Sequence, residues 1–78
     1  MEERIDGHAG EISLTLNGKP RSVRTGASLS DLIHELSLRE RLVVVERNGI
    51  IVPRSAYGDT LLEDRDTLEI VHFVGGGV

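Results

Sequence analysis

The chain has 78 residues, a net charge of −4 and 38% apolar residues, with one Phe, one Tyr and no Trp or Cys. That describes one small domain with an aliphatic core, too small to house both a substrate cavity and a catalytic constellation, so it reads as a protein that enzymes act on rather than as an enzyme. The acidic balance argues against nucleic acid and anionic membrane partners, and the missing cysteines exclude disulfides, thiolate metal sites and a thiol nucleophile. No apolar run approaches membrane-spanning length, and the polar start Met1-Glu2-Glu3-Arg4 lacks the pattern of a signal peptide, so a cytoplasmic location is expected.

Residues 1–10 are polar and aperiodic and read as a flexible lead. From Glu11 the pattern alternates, with Ile12, Leu14 and Leu16 on one side and Ser13 and Thr15 on the other, which predicts a half-buried strand. Asn17-Gly18 follows, the dipeptide of a two-residue type I′ hairpin, and Lys19 to Arg24 returns as a second strand. Pro20 cannot donate to a ladder and suits an edge. Ser28 has the placement of a helix N-cap, with Asp31 in the first turn. Leu29, Leu32, Ile33 and Leu36 then form one apolar stripe on a helix of about ten residues.

After the charged loop Arg39-Glu40-Arg41, Leu42 to Val45 is continuously apolar and reads as a strand buried on both faces. Asn48-Gly49 repeats the hairpin signal, and Ile50 to Val52 returns until Pro53 stops it. A short helical turn is expected near Ser55 to Gly58, with Leu61 and Leu62 anchoring an otherwise irregular segment. Asp64-Arg65-Asp66 reads as a polar turn. Thr67 to Phe73 alternates again, with Leu68, Ile70 and His72 on one side and Glu69, Val71 and Phe73 on the other. The result is an α+β domain over residues 11–74, a mixed four- to five-stranded sheet packed on one helix. With the first and last strands parallel, this is the β-grasp, or ubiquitin-like, architecture.

Residues 75–78 form a glycine tail, Gly75-Gly76-Gly77-Val78. Glycine packs nothing and loses the most backbone entropy on ordering, so a run of three does not serve a core. It suits a terminus that enters a space too narrow for side chains and delivers its own carboxylate; a solvated, frayed end is the other reading. His8, His34 and His72 share no ligand spacing and suggest no metal site. Arg39, Arg41, Arg47 and Arg54 read first as a solvated face and second as a docking one. Glu46 and Arg47 are rim candidates, and Asn48-Gly49 reads as a turn.

Four stretches resemble the ThiS family of sulfur carriers, within the wider ThiS/MoaD-type ubiquitin-like carriers, over about residues 11–78. They are Leu16-Asn17-Gly18, the Gly26-Ala27-Ser28-Leu29 helix entry, Asn48-Gly49-Ile50-Ile51-Val52-Pro53-Arg54, and Leu68 to Gly77. The last is the most specific. Two positions depart from the family pattern: Arg65, where members usually carry glycine, and Val78, which runs one residue past the family's terminal glycine.

The resemblance implies a carrier in thiamine (thiazole) biosynthesis that binds no cofactor. A ThiF-type enzyme would use ATP to adenylate the carboxylate of Gly77, which Gly76 helps to present. Sulfur from a cysteine desulfurase type of donor would convert it to a thiocarboxylate, and a ThiG-type thiazole synthase would consume that sulfur. Phe73, Val74 and Gly75 would meet the partner, and a protease or carboxypeptidase would remove Val78. A carrier for molybdopterin, tRNA thiolation or cysteine synthesis, a ubiquitin-like modifier of lysines, and a β-grasp binding module with an inert tail are the alternatives.

Overall fold

The computed structural model describes residues 10–73; the expected lead over 1–9 and the tail residues from Val74 onward lie outside the described residues. Five strands are formed: β1 (Glu11–Leu16), β2 (Lys19–Arg24), β3 (Val43–Arg47), β4 (Ile50–Val52) and β5 (Thr67–His72). Their order across the sheet is β2-β1-β5-β3-β4. β5 runs parallel to β1 and antiparallel to β3, and the two hairpins complete a mixed sheet. The last strand therefore occupies the centre, and Pro20 lies on the edge strand β2, as its missing donor requires. This is the β-grasp arrangement.

Both hairpins turn on two residues in the left-handed region. Asn17 and Asn48 have φ of 50° and 53°, and Gly18 and Gly49 have φ of 84° and 85°. That is the type I′ geometry whose twist matches the flanking strands.

The helix α1 (Leu29–Glu35) buries Leu29, Leu32 and Ile33 against the sheet. Its start is a reciprocal capping box. The Asp31 backbone N–H donates to the Ser28 hydroxyl at 3.1 Å, and the Ser28 N–H donates to the Asp31 carboxylate at 2.9 Å. That Ser28 N–H, joined by its hydroxyl and by Arg24, holds the Asp31 carboxyl below its ordinary value against a smaller opposing effect of desolvation. The helix is shorter than the apolar stripe predicts. Ser37 takes φ of 62°, and the Leu38 N–H reaches back to the Ile33 carbonyl at 3.0 Å while the Ser37 N–H reaches that of His34. This is a Schellman closure with serine where glycine is usual, so Leu36 ends the helix half-buried instead of extending it.

The core joins Leu14, Val23, Leu29, Leu32, Ile33, Val43, Val45, Leu62, Leu68 and Ile70. Tyr57 sits among them, 2% exposed, so the core is not purely aliphatic. Its hydroxyl donates to the Val43 carbonyl at 3.2 Å, which satisfies the one polar atom that burial would strand. Two further expectations are corrected. Leu42 belongs to a short 3-10 turn (Glu40–Leu42), and Val44 is 39% exposed, because the one α-helix among the described residues packs on the other face of the sheet. Of the leucine pair, Leu62 is buried whereas Leu61 is 58% exposed. The expected helical turn after Pro53 is present as a 3-10 turn at Arg54–Ala56.

Arg65 occupies the left-handed region with φ of 73°, and its side chain is exposed. A Cβ there costs about 1 kcal/mol, and the exposed Asp64–Arg65 contact at 3.8 Å offsets little of it. Arg65→Gly is therefore expected to raise the melting temperature by about 5 °C. A lower melting temperature in a thermal scan would show that the conformation is unstrained.

Candidate functional site

Strand β5 is the element that carries the chain toward the glycine tail, and its two ends are fixed by different means. Over its first four residues the side chains of both turn asparagines act as extra backbone. The Asn17 amide accepts from the Ile70 N–H at 2.8 Å and donates to the Ile70 carbonyl at 3.2 Å. The Asn48 amide accepts from the Thr67 N–H at 2.9 Å and donates to the Asp66 carboxylate at 3.0 Å. These contacts continue the ladder past the last strand residues of β1 and β3, and they are why each turn needs asparagine as well as glycine.

Asp66 is the centre of this arrangement. It is 5% exposed and accepts from the Glu63 N–H at 2.9 Å, from Arg47 Nε at 2.9 Å and from the Asn48 amide. Burial alone would raise its pKa, but these three donors and the Arg47 charge together outweigh it and hold the carboxyl below its ordinary value. Arg47 also donates to the Leu61 carbonyl at 3.3 Å. It thereby braces the turns from within, while Arg39, Arg41 and Arg54 are exposed. Asp64 takes a lesser part, accepting from the Ser13 N–H at 2.8 Å.

At its far end β5 continues one residue beyond the strand. The Phe73 N–H donates to the Leu42 carbonyl at 2.8 Å, yet the Phe73 side chain is 52% exposed. It continues the alternation that turns Leu68 and Ile70 into the core and Glu69 and Val71 outward. On this outer face Val71 stands directly opposite Val44, Glu69 opposite Glu46, and Ile51 opposite Glu46 on the other side. Val44, Val71, Ile51 and Phe73 are all large, apolar and exposed. The face opposite α1 thus carries an apolar strip beside two carboxylates, and the strip ends at Phe73. Of the tail-proximal residues singled out from sequence, Phe73 is the one described; Val74, Gly75, Gly76, Gly77 and Val78 lie outside the described residues.

His34 lies 3.5 Å from Glu40, and His72 is half-buried at the end of β5. Among the described residues no group of three or more His, Cys, Asp or Glu side chains could hold a metal ion, and no helix is long and apolar enough to cross a membrane.

The chain matches the ThiS family over residues 14–77, from the first strand through the third glycine of the tail. The chain belongs to the ThiS family. It is 43% identical over 65 residues to the sulfur carrier protein ThiS of Bacillus subtilis, covering 82% of this chain and 98% of that protein. The crystal structure of the thiamine biosynthesis protein ThiS from Geobacter metallireducens superimposes with a TM-score of 0.72 at 35% identity, over 85% of this chain and all of that one. A thiazole synthase of Magnetococcus marinus is 39% identical over 66 residues; the match covers 85% of this chain but spans only 20% of the synthase. A second thiazole synthase, from Paramagnetospirillum magneticum, is matched over the same small share of its length.

Proposed function

We propose that the chain is the sulfur carrier of thiamine biosynthesis, a protein cosubstrate whose C-terminal glycine carboxylate becomes a thiocarboxylate. The observation that carries this reading is the family match, which runs unbroken from the β-grasp core through Gly77. The thiazole synthase relatives, which hold a similar segment within a longer chain, support the thiazole branch over molybdopterin, tRNA or cysteine pathways.

A carboxylate is a poor electrophile. A ThiF-type partner activates it with ATP: the Gly77 carboxylate attacks the α-phosphate, pyrophosphate leaves, and an acyl-adenylate forms. A sulfur nucleophile, supplied by a cysteine desulfurase type of donor, then displaces AMP and leaves sulfur in place of one oxygen. The synthase of the ThiG type takes that sulfur. In this reading the activating groups belong to the partner. Gly76 and Gly77 supply backbone without side-chain bulk. Val78 would place a β-branched side chain and the carboxylate one residue too far, so its removal precedes adenylation.

The apolar strip of Val44, Val71 and Phe73 is the surface that meets the activating enzyme, with Val74 and Gly75 completing the approach. Central apolar groups carry most of the energy of such contacts. Val71→Lys and Phe73→Ala are therefore expected to raise the carrier's KM in adenylate formation about tenfold each, read as ATP–pyrophosphate exchange. Both substitutions fall on exposed positions, so the fold is retained. An unchanged KM would show that docking uses another face.

A further inference from the structure

Both hairpin turns place asparagine directly before glycine, the sequence most open to loss of side-chain ammonia, because glycine's backbone nitrogen is unshielded. In that reaction the glycine nitrogen gives up its proton and bonds to the asparagine Cγ. The Cγ–Nδ2 bond breaks, ammonia leaves, and a cyclic imide forms. One water then opens the imide to aspartate or isoaspartate. The sequence is redox-neutral and needs water alone.

In the folded chain neither amide is free to react. Asn17 is held at both side-chain atoms by Ile70, and Asn48 by Thr67 and Asp66. Imide formation requires the side chain to leave these bonds. The two sites differ in what the product would meet. At position 17 the new carboxylate faces a peptide group. At position 48 it faces the buried Asp66 carboxylate across a 3.0 Å contact that was a hydrogen bond, with Arg47 already committed to Asp66.

We propose that Asn48 is a modification site of this chain: a spontaneous deamidation that the folded state suppresses through Thr67 and Asp66, and that, once made, releases the start of β5. The donor to Asp66 is lost and two carboxylates are pressed together, and because ammonia has left the change is irreversible and marks a chain that has opened.

The test follows both asparagines by peptide mass mapping in the full chain, incubated in native buffer and in denaturing urea. Both convert in urea. In native buffer conversion is at least about tenfold slower at each, since it requires local opening. An Asn48 that converts as fast in the folded chain as in urea overturns the proposal. A second measurement compares variants by thermal scan. Asn48→Asp is expected to melt about 10 °C below the parent, and Asn17→Asp less far below it. Asp66→Asn restores a donor opposite the new carboxylate, so Asn48→Asp with Asp66→Asn is more stable than the sum of the single effects. Additive losses, or an Asn48→Asp chain as stable as the parent, overturn the proposal.

Discussion

A chain ending at Gly75 is expected to keep its fold and lose sulfur transfer completely. The core runs from Leu14 to Ile70, and among the described residues the last backbone bond of the sheet is that of the Phe73 N–H to Leu42. Gly76, Gly77 and Val78 come after these contacts in sequence, and the two glycines carry no side chain to pack. Far-UV circular dichroism and a thermal scan should match the full chain, while thiazole formation with the activating and synthase partners falls to the level seen without carrier. Retained activity would favour the binding-module reading, in which the tail is inert. Loss of activity alone does not separate a sulfur carrier from a ubiquitin-like modifier; the product does, as a released thiocarboxylate in one case and an amide to a target lysine in the other.

The second large effect is on stability. Asp66→Ala is expected to cost about 3 kcal/mol, because it leaves the half-buried Arg47, the Asn48 amide and the Glu63 N–H without their shared acceptor. For a domain of this size that lowers the melting temperature by about 15 °C. The pH dependence has a definite sign. The Asp66 pKa is lowered on folding from its ordinary 3.8, so the unfolded chain binds more protons in the window just below that value. The stabilisation is fully present above pH 4 or so and is lost as pH falls through the folded-state pKa. Asp66→Asn should therefore flatten the acid limb of a stability-against-pH curve. Asp31 leaves part of that limb in place, since its pKa is also lowered. A variant as stable as the parent at neutral pH, with the same acid limb, would mean that Arg47 and Asn48 find other partners.

The strands and hairpins were legible because their signals are local. Alternation marks Ile12 to Leu16 and Leu68 to His72, and each Asn-Gly pair marks its turn. The Ser28 cap was legible for the same reason. What was missed depends on contacts distant in sequence. Asp66 looks like one residue of a polar turn until the fold brings Arg47 and Asn48 to it, 19 and 18 residues away. The roles of the Asn17 and Asn48 side chains were hidden because glycine partners already explained both turns. Tyr57 gave no periodic signal, since it lies in an irregular segment and enters the core alone. The exposure of Val44 was misread because an unbroken apolar run has the composition of a two-sided buried strand, whereas here its outer side forms part of the proposed docking face. Phe73, expected from its place beside the tail to meet a partner, is 52% exposed.

The central claim is that the terminal glycine carries sulfur. The most direct measurement is the intact mass of the protein expressed in a thiamine-starved bacterial host that contains the sulfur-transfer enzymes, alongside a chain ending at Gly77. Loss of Val78 together with the mass increase of sulfur replacing oxygen is the expected result, and the chain ending at Gly77 should show the same increase without processing. An unmodified mass for both chains, in a host where the activating enzyme is active on its own carrier, would contradict it.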